Sequence, residues 1–167
     1  LRIHRPLSLD EIEQVWRAIV SQHDVLRACF TQDKNNWRQE IKPLNLSNKF
    51  ICNSADLRNL SKVAQEAKVL EMINCAQLSF NIEKEPLYYI QLFERSDEKC
   101  NYQQLLIVIH HLVIDGVSWR ILLDDLEKGC AQISASQPVK LSAKTHSYKI
   151  WAETLEDYAQ TDTVKKA

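Results

Sequence analysis

The run Leu105-Leu106-Ile107-Val108-Ile109 is apolar without interruption and stops at two adjacent histidines, His110 and His111. Successive side chains of a strand point to opposite faces of its sheet, so a run with no polar break reads as a strand buried on both faces. The segment before it is its natural neighbour. Beyond Pro86, Tyr88, Ile90 and Leu92 share one face while Tyr89, Gln91 and Phe93 share the other. The polar turn Arg95–Asn101 joins the two strands.

Helices flank this pair. Leu1 to Arg5 reads as the end of a strand. Ser8 with Glu11 three residues on has capping-box spacing, and Ile12, Val15, Trp16, Ile19 and Val20 follow as one apolar stripe. Strands are expected at Leu26–Thr31 and Trp37–Ile41, joined by the turn Asp33–Asn36, with another at Phe50–Cys52. A second helix is expected from Ser61 to Leu78, with Val63, Ala67, Leu70 and Ile73 on one face. A third starts at Val117 or Ser118 and carries Trp119, Leu122, Leu123, Leu126, Cys130 and Ile133 on one side. After a loop with Pro138, a last helix near Ser147–Gln160 shows a stripe of Tyr148, Trp151, Leu155 and Tyr158, of which Tyr148 and Trp151 read as core. Segregated hairpins and helices point to an α+β class, a layered sheet with helices packed on it.

Composition narrows the function. The chain has 167 residues, enough for one domain with a sizeable core, and a formal charge of −1, which lacks the electrostatic footprint of a nucleic-acid binder. No apolar stretch approaches the ~20 residues of a membrane span. Two glycines, Gly116 and Gly129, assemble no phosphate-binding fingerprint. The five cysteines include no C-x-x-C pair and read as reduced, structural thiols, which suits a cytoplasmic protein. The chain begins without Met and without the apolar core of a signal peptide, and so reads as an excerpt of a longer polypeptide.

The segment His110-His111-Leu112-Val113-Ile114-Asp115-Gly116 lies between a buried strand and a helix. Adjacent residues of an extended chain point apart, so the two histidines divide their roles: one faces the core or the far side, the other a cavity at the strand end. An imidazole there suits a general base, with an unperturbed pKa of about 6.5. Equally, both histidines are readable as structural. Asp115 would hold the loop, and Gly116 would supply a backbone conformation closed to other residues. A metal site from His110, His111 and Asp115 is disfavoured, because opposed side chains do not converge on one ion. Ser118 lacks the glycine-flanked elbow of a nucleophile and reads as a helix cap.

His110 to Gly116 matches the H-H-x-x-x-D-G signature of the condensation-domain superfamily of nonribosomal peptide synthetases, which shares the chloramphenicol-acetyltransferase-like fold. QHDVLRACF (Gln22 to Phe30) resembles that family's R-H-E-x-L-R-x-x-F segment, with Gln22 for Arg and Asp24 for Glu. FNIEKEPL (Phe80 to Leu87) resembles its F-[DN]-[IL]-x-x-x-P-L segment. Two further segments resemble the epimerization subtype. They are DGVSWRILLDDLE (Asp115 to Glu127) and LSAKTHSYKIWAETLEDYA (Leu141 to Ala159).

The resemblance implies that residues 1–167 are the N-terminal lobe of a two-lobed domain, without its opening strand region and its C-terminal lobe. It implies inversion at Cα, from L to D, of an aminoacyl or peptidyl thioester on a peptidyl carrier protein. The carrier's phosphopantetheine arm brings in the substrate, and the domain itself binds no cofactor and no metal. His111 would be the acid–base, with a glutamate of the second lobe as its partner. His110, Asp115, Gly116 and Arg27 would hold the motif, Arg27 through an ion pair with Asp115. Ser118, Trp119 and Arg120 are the candidate contacts to substrate or carrier arm; Trp119 reads first as core, and Arg120 equally as a solvated helix residue. The partners implied are the carrier protein, the second lobe and neighbouring synthetase modules, and the isolated lobe is expected to be inactive. The competing readings are a condensation domain that forms a peptide bond between carrier-bound substrates, and a non-catalytic lobe that only docks carriers.

Overall fold

The computed structural model of the chain describes every residue except 4, 35, 45–51, 85, 145 and 166–167, and the side chains of 163 and 165. Strand β1 (Arg2–Ile3) leads into helix α1 (Leu9–Gln22) and a short 3-10 turn (Asp24–Arg27). Strands β2 (Ala28–Asp33) and β3 (Asn36–Ile41) form a separate antiparallel hairpin. Then come β4 (Cys52–Asp56), α2 (Lys62–Ser79), β5 (Tyr88–Ser96), β6 (Asn101–Ile109), α3 (Ser118–Ser134), α4 (Tyr148–Ala159) and the one-turn α5 (Asp162–Lys165). Of the strand expected at Phe50–Cys52, Phe50 and Ile51 lie outside the described residues.

The main sheet has the order β1-β6-β5-β4. β5 and β6 are antiparallel, with Leu92 opposite Leu105 and Tyr88 opposite Ile109. The Asp97 carboxylate closes their turn by accepting from the Lys99 and Cys100 amides at 2.8 and 2.9 Å. β4 runs parallel to β5, which requires a crossover, and α2 is that crossover. The sheet is therefore mixed.

Helices cover both faces. On one, the α1 stripe of Ile12, Val15, Trp16, Ile19 and Val20 meets Ile90 and Leu92 of β5, Leu105 of β6 and Leu122 and Leu126 of α3 in one core. Ser8 caps α1: its amide donates to Glu11 Oε2 at 2.7 Å, and its Oγ accepts from the Glu11 amide at 3.2 Å. On the other face, Phe93 packs with Leu57 and Val69 beneath α2. The run 105–109 thus lies between two layers, fully buried at Leu105 and half-buried from Leu106 to Ile109.

Two helices turn differently from the expectation. α2 buries Gln65, Val69 and Ala76, while Val63 and Leu70 face outward. A polar clamp sets this rotation. Buried Arg95 donates to Gln65 Oε1 at 3.2 Å, and Gln65 Nε2 donates to the carbonyls of Leu60 and Ser96, both at 3.1 Å. A buried cation without such acceptors would be costly, so the polar contacts override the apolar stripe. In α4 no residue is buried: Tyr148, Trp151, Leu155 and Tyr158 are 46 to 57% exposed, not core.

Gly129 has a packing role. A Cβ there would lie 2.6 Å from Val15 Cγ1 and 3.4 Å from Val139 Cγ1, so the missing side chain is what lets α3 approach α1. Gly116 does not need to be glycine for its backbone. Its φ lies outside the left-handed region, and a Cβ there would meet nothing within 4 Å. This corrects the expectation of a special conformation at that position.

Candidate functional site

The strand-to-helix junction from His110 to Arg120 is held from below. The His110 amide donates to the Leu87 carbonyl at 2.9 Å, which makes it the last tie to the chain leading into β5. Its ring lies edge-on to Phe80, with centroids 6.0 Å apart, and its Nδ1 accepts from the Leu112 amide at 3.2 Å. His110 is therefore half-buried and occupied with the fold. Val113 and Ile114 are buried and anchor the loop to the core.

His111 has the opposite placement. It is exposed, as is its chain neighbour Leu112. His110 is half-buried and His111 exposed, but both lie beyond β6, which ends at Ile109, and His111 does not line the cavity expected at the strand end.

Asp115 orders the loop through amides and not through a cation. Its Oδ1 accepts from the Val117 and Ser118 amides at 3.0 and 2.7 Å, and its carbonyl accepts from the Trp119 amide at 3.1 Å. It thereby caps α3, the role expected of Ser118. The hydrogen bonds from the Ser118 amide and hydroxyl hold its carboxyl below the ordinary value, with a smaller pull from nearby His111. Such a group stabilises the fold above its unfolded pKa, and the contribution disappears as pH falls through the lower folded value. Asp115→Asn keeps a capping oxygen and removes only the charge. It is expected to lower the thermal midpoint near neutral pH and to match the parent well below the carboxylate range. A gap of the same size at both pH values would show that the charge is irrelevant.

The expected Arg27–Asp115 ion pair does not form. Arg27 Nε donates to the Lys42 carbonyl at 3.0 Å, and Nη1 donates to the carbonyls of Val20 and Ser21. The guanidinium thus satisfies carbonyls at the C-terminal end of α1, where a cation is favoured, and ties that end to the residue after β3. Trp119 is half-buried against the main core, and Arg120 is exposed on α3.

One pairing escaped the sequence reading. His23 Nε2 and the buried Asp125 Oδ2 are hydrogen-bonded at 2.8 Å, joining the end of α1 to α3. A cavity of about 80 Å³ beside it is walled by His23, Val25, Leu26, Val113, Ile114 and Ser118, under the motif loop. The signal was faint: a single aspartate on the otherwise apolar side of α3. Among the described residues no three His, Cys, Asp or Glu side chains converge as metal ligands, and no helix is long and apolar enough to cross a membrane.

Comparison with known proteins bears on this geometry. A family model described as "Condensation domain" matches residues 1–167. The chain is 36% identical over 168 residues to one of the linear gramicidin synthase proteins of Brevibacillus parabrevis, covering 99% of this chain and 2% of that protein. It is 37% identical over 151 residues to tyrocidine synthase 2 of the same organism, covering 90% of this chain and 4% of that one. Among solved structures, the epimerization domain from the third module of tyrocidine synthetase B superposes with a TM-score of 0.86 at 34% identity, covering 98% of this chain and 36% of that chain. A starter condensation domain of rhizomide synthetase shares the fold at TM-score 0.76 and 17% identity, over 96% of this chain and 37% of that one. The chain therefore spans a small fraction of its curated relatives and about a third of the solved domains.

Proposed function

The chain belongs to the condensation-domain family of nonribosomal peptide synthetases, with its α+β, chloramphenicol-acetyltransferase-like fold, and from that premise we propose that it is the N-terminal lobe of an epimerization domain. The observation that carries the subtype is the likeness to the tyrocidine synthetase epimerization domain at 34% identity, together with the segment Asp115 to Glu127.

In this reading the substrate is an aminoacyl or peptidyl thioester presented on the phosphopantetheine arm of a carrier protein. The Cα–H bond beside a thioester carbonyl is only weakly acidic, so removal of the proton needs a placed base and a sink for the electron pair. His111 takes the proton from one face of Cα, and the electron pair moves onto the carbonyl oxygen as an enolate. A proton then returns to the opposite face from a partner acid outside these residues, which inverts the centre with no net change in atoms or electrons. His110 and Asp115 hold the loop that presents His111. Half of such a site cannot complete the exchange, so residues 1–167 alone are inactive.

The test is chiral analysis of the carrier-bound product formed by the complete domain. A D-configured residue without chain extension is the expected result. A longer peptide with unchanged configuration would mean condensation, the activity for which the family model is described. Carrier binding with no product of either kind would mean a docking lobe.

A further inference from the structure

Helix α4 is built to be covered, and the described residues do not cover it. Tyr148, Trp151, Leu155 and Tyr158 recur at i, i+3, i+7 and i+10, which places them on one side of a helix. Lys149, Glu153 and Asp157 fall on the other, where Lys149 and Glu153 pair at 3.6 Å. The four apolar side chains are 53, 57, 46 and 54% exposed. Among the described elements, the one that packs most against α4 is one-turn α5. A helix of 12 residues is marginal alone in water, so its persistence requires a partner for the apolar side.

The size of the face selects the kind of partner. Aromatic side chains carry about 150–250 Å² each, so three half-exposed aromatics and a leucine present roughly 400 Å². Paired with a second copy, the face would bury about 800 Å² in total, below the ~1,200–2,000 Å² of stable interfaces between free proteins. A partner on the same polypeptide needs far less, because tethering supplies an effective concentration in the millimolar range. In the tyrocidine synthetase epimerization domain the greater part of the chain lies outside the segment matched here.

We propose that the Tyr148–Trp151–Leu155–Tyr158 face of α4 is the seat for the part of its own domain that lies beyond the matched third, and so a lobe-to-lobe contact. The strap before α4 supports a fixed seat. Gln22 Nε2 donates to the Ser142 carbonyl at 2.7 Å, and Lys144 Nζ pairs with Asp24 at 2.6 Å, so the approach to α4 is tied to the end of α1. The inference rests on membership of the family and not on the epimerization reading; a complete domain that fails to invert Cα leaves it standing.

Hydrogen–deuterium exchange tests it. In the complete domain the amides of residues 148–159 should exchange at least about 10-fold more slowly than in the 167-residue chain. A Trp151→Glu, Leu155→Glu double variant should lose that protection while β5 and β6 keep theirs. If the double variant does not fold, the comparison of the two unmutated chains decides alone. Equal exchange in both chains would overturn the proposal. So would protection in the 167-residue chain that rises with concentration alongside a dimer in sedimentation, because the occupant would then be a second copy.

Discussion

Replacing His111 with alanine in the complete domain is expected to slow inversion of a carrier-bound aminoacyl thioester by about 10²–10⁴-fold, the usual contribution of a placed general base. Stability of the 167-residue chain should hardly change, because there His111 is exposed in the turn beyond β6, and exposed substitutions stay within about 0.5 kcal/mol. His110→Ala should behave differently. It removes a ring packed on Phe80 and an acceptor for the Leu112 amide, so the loss appears in the thermal midpoint as well as in the rate. The pair of variants thus separates chemistry from architecture. Unchanged turnover in His111→Ala with a normally folded domain would remove the imidazole from the reaction.

Gly129→Leu is expected to destabilise the 167-residue chain by about 3 kcal/mol, the upper end of the usual cost of overpacking. The first added carbon already sits 2.6 Å from Val15 Cγ1, and Val15 is 1% exposed and stiff at χ1. Helix propensity works in the other direction, since removing a glycine from a helix interior gains about 1 kcal/mol at most. A second pair of variants fixes the cause. Gly129→Ala should be destabilising alone and close to neutral in a Val15→Ala background, where the colliding methyls are absent. Denaturant midpoints measure both, and a Gly129→Leu chain as stable as its parent would mean that α3 and α1 have room to spare.

Much of the fold was legible because its signals are local and agree with one another. The α1 stripe needs only five apolar residues at helical spacing behind a serine cap, and the structure buries all five. The alternation from Tyr88 to Phe93 assigns faces correctly, with Ile90 and Leu92 toward α1 and Phe93 toward α2. The rotation of α2 was not legible, because it is decided by Arg95, a residue thirty positions away that must find acceptors on Gln65. The apolar stripe of α4 reads as core in the sequence because periodicity reports that a face must be buried, not whether its partner lies within the same 167 residues.

The candidate site was less legible. The difference between half-buried His110 and exposed His111 comes from the contacts of His110 with Phe80 and the Leu112 amide beyond the end of β6. The fate of Arg27 is likewise set by contacts: carbonyls at the end of α1 and after β3 compete for the guanidinium and take it, while backbone amides satisfy Asp115. The two glycines exchanged their expected importance, because a close helix approach at Gly129 leaves no mark in the sequence beyond the glycine itself.

The central claim is that His111 moves the α-proton, and isotope exchange measures that step without depending on product configuration. In D2O the complete domain should place deuterium at Cα of a carrier-bound aminoacyl thioester, and His111→Ala should slow this by about 10²–10⁴-fold. Deuterium entering Cα at the same rate in both proteins would contradict the account, as would none entering in the unmutated domain.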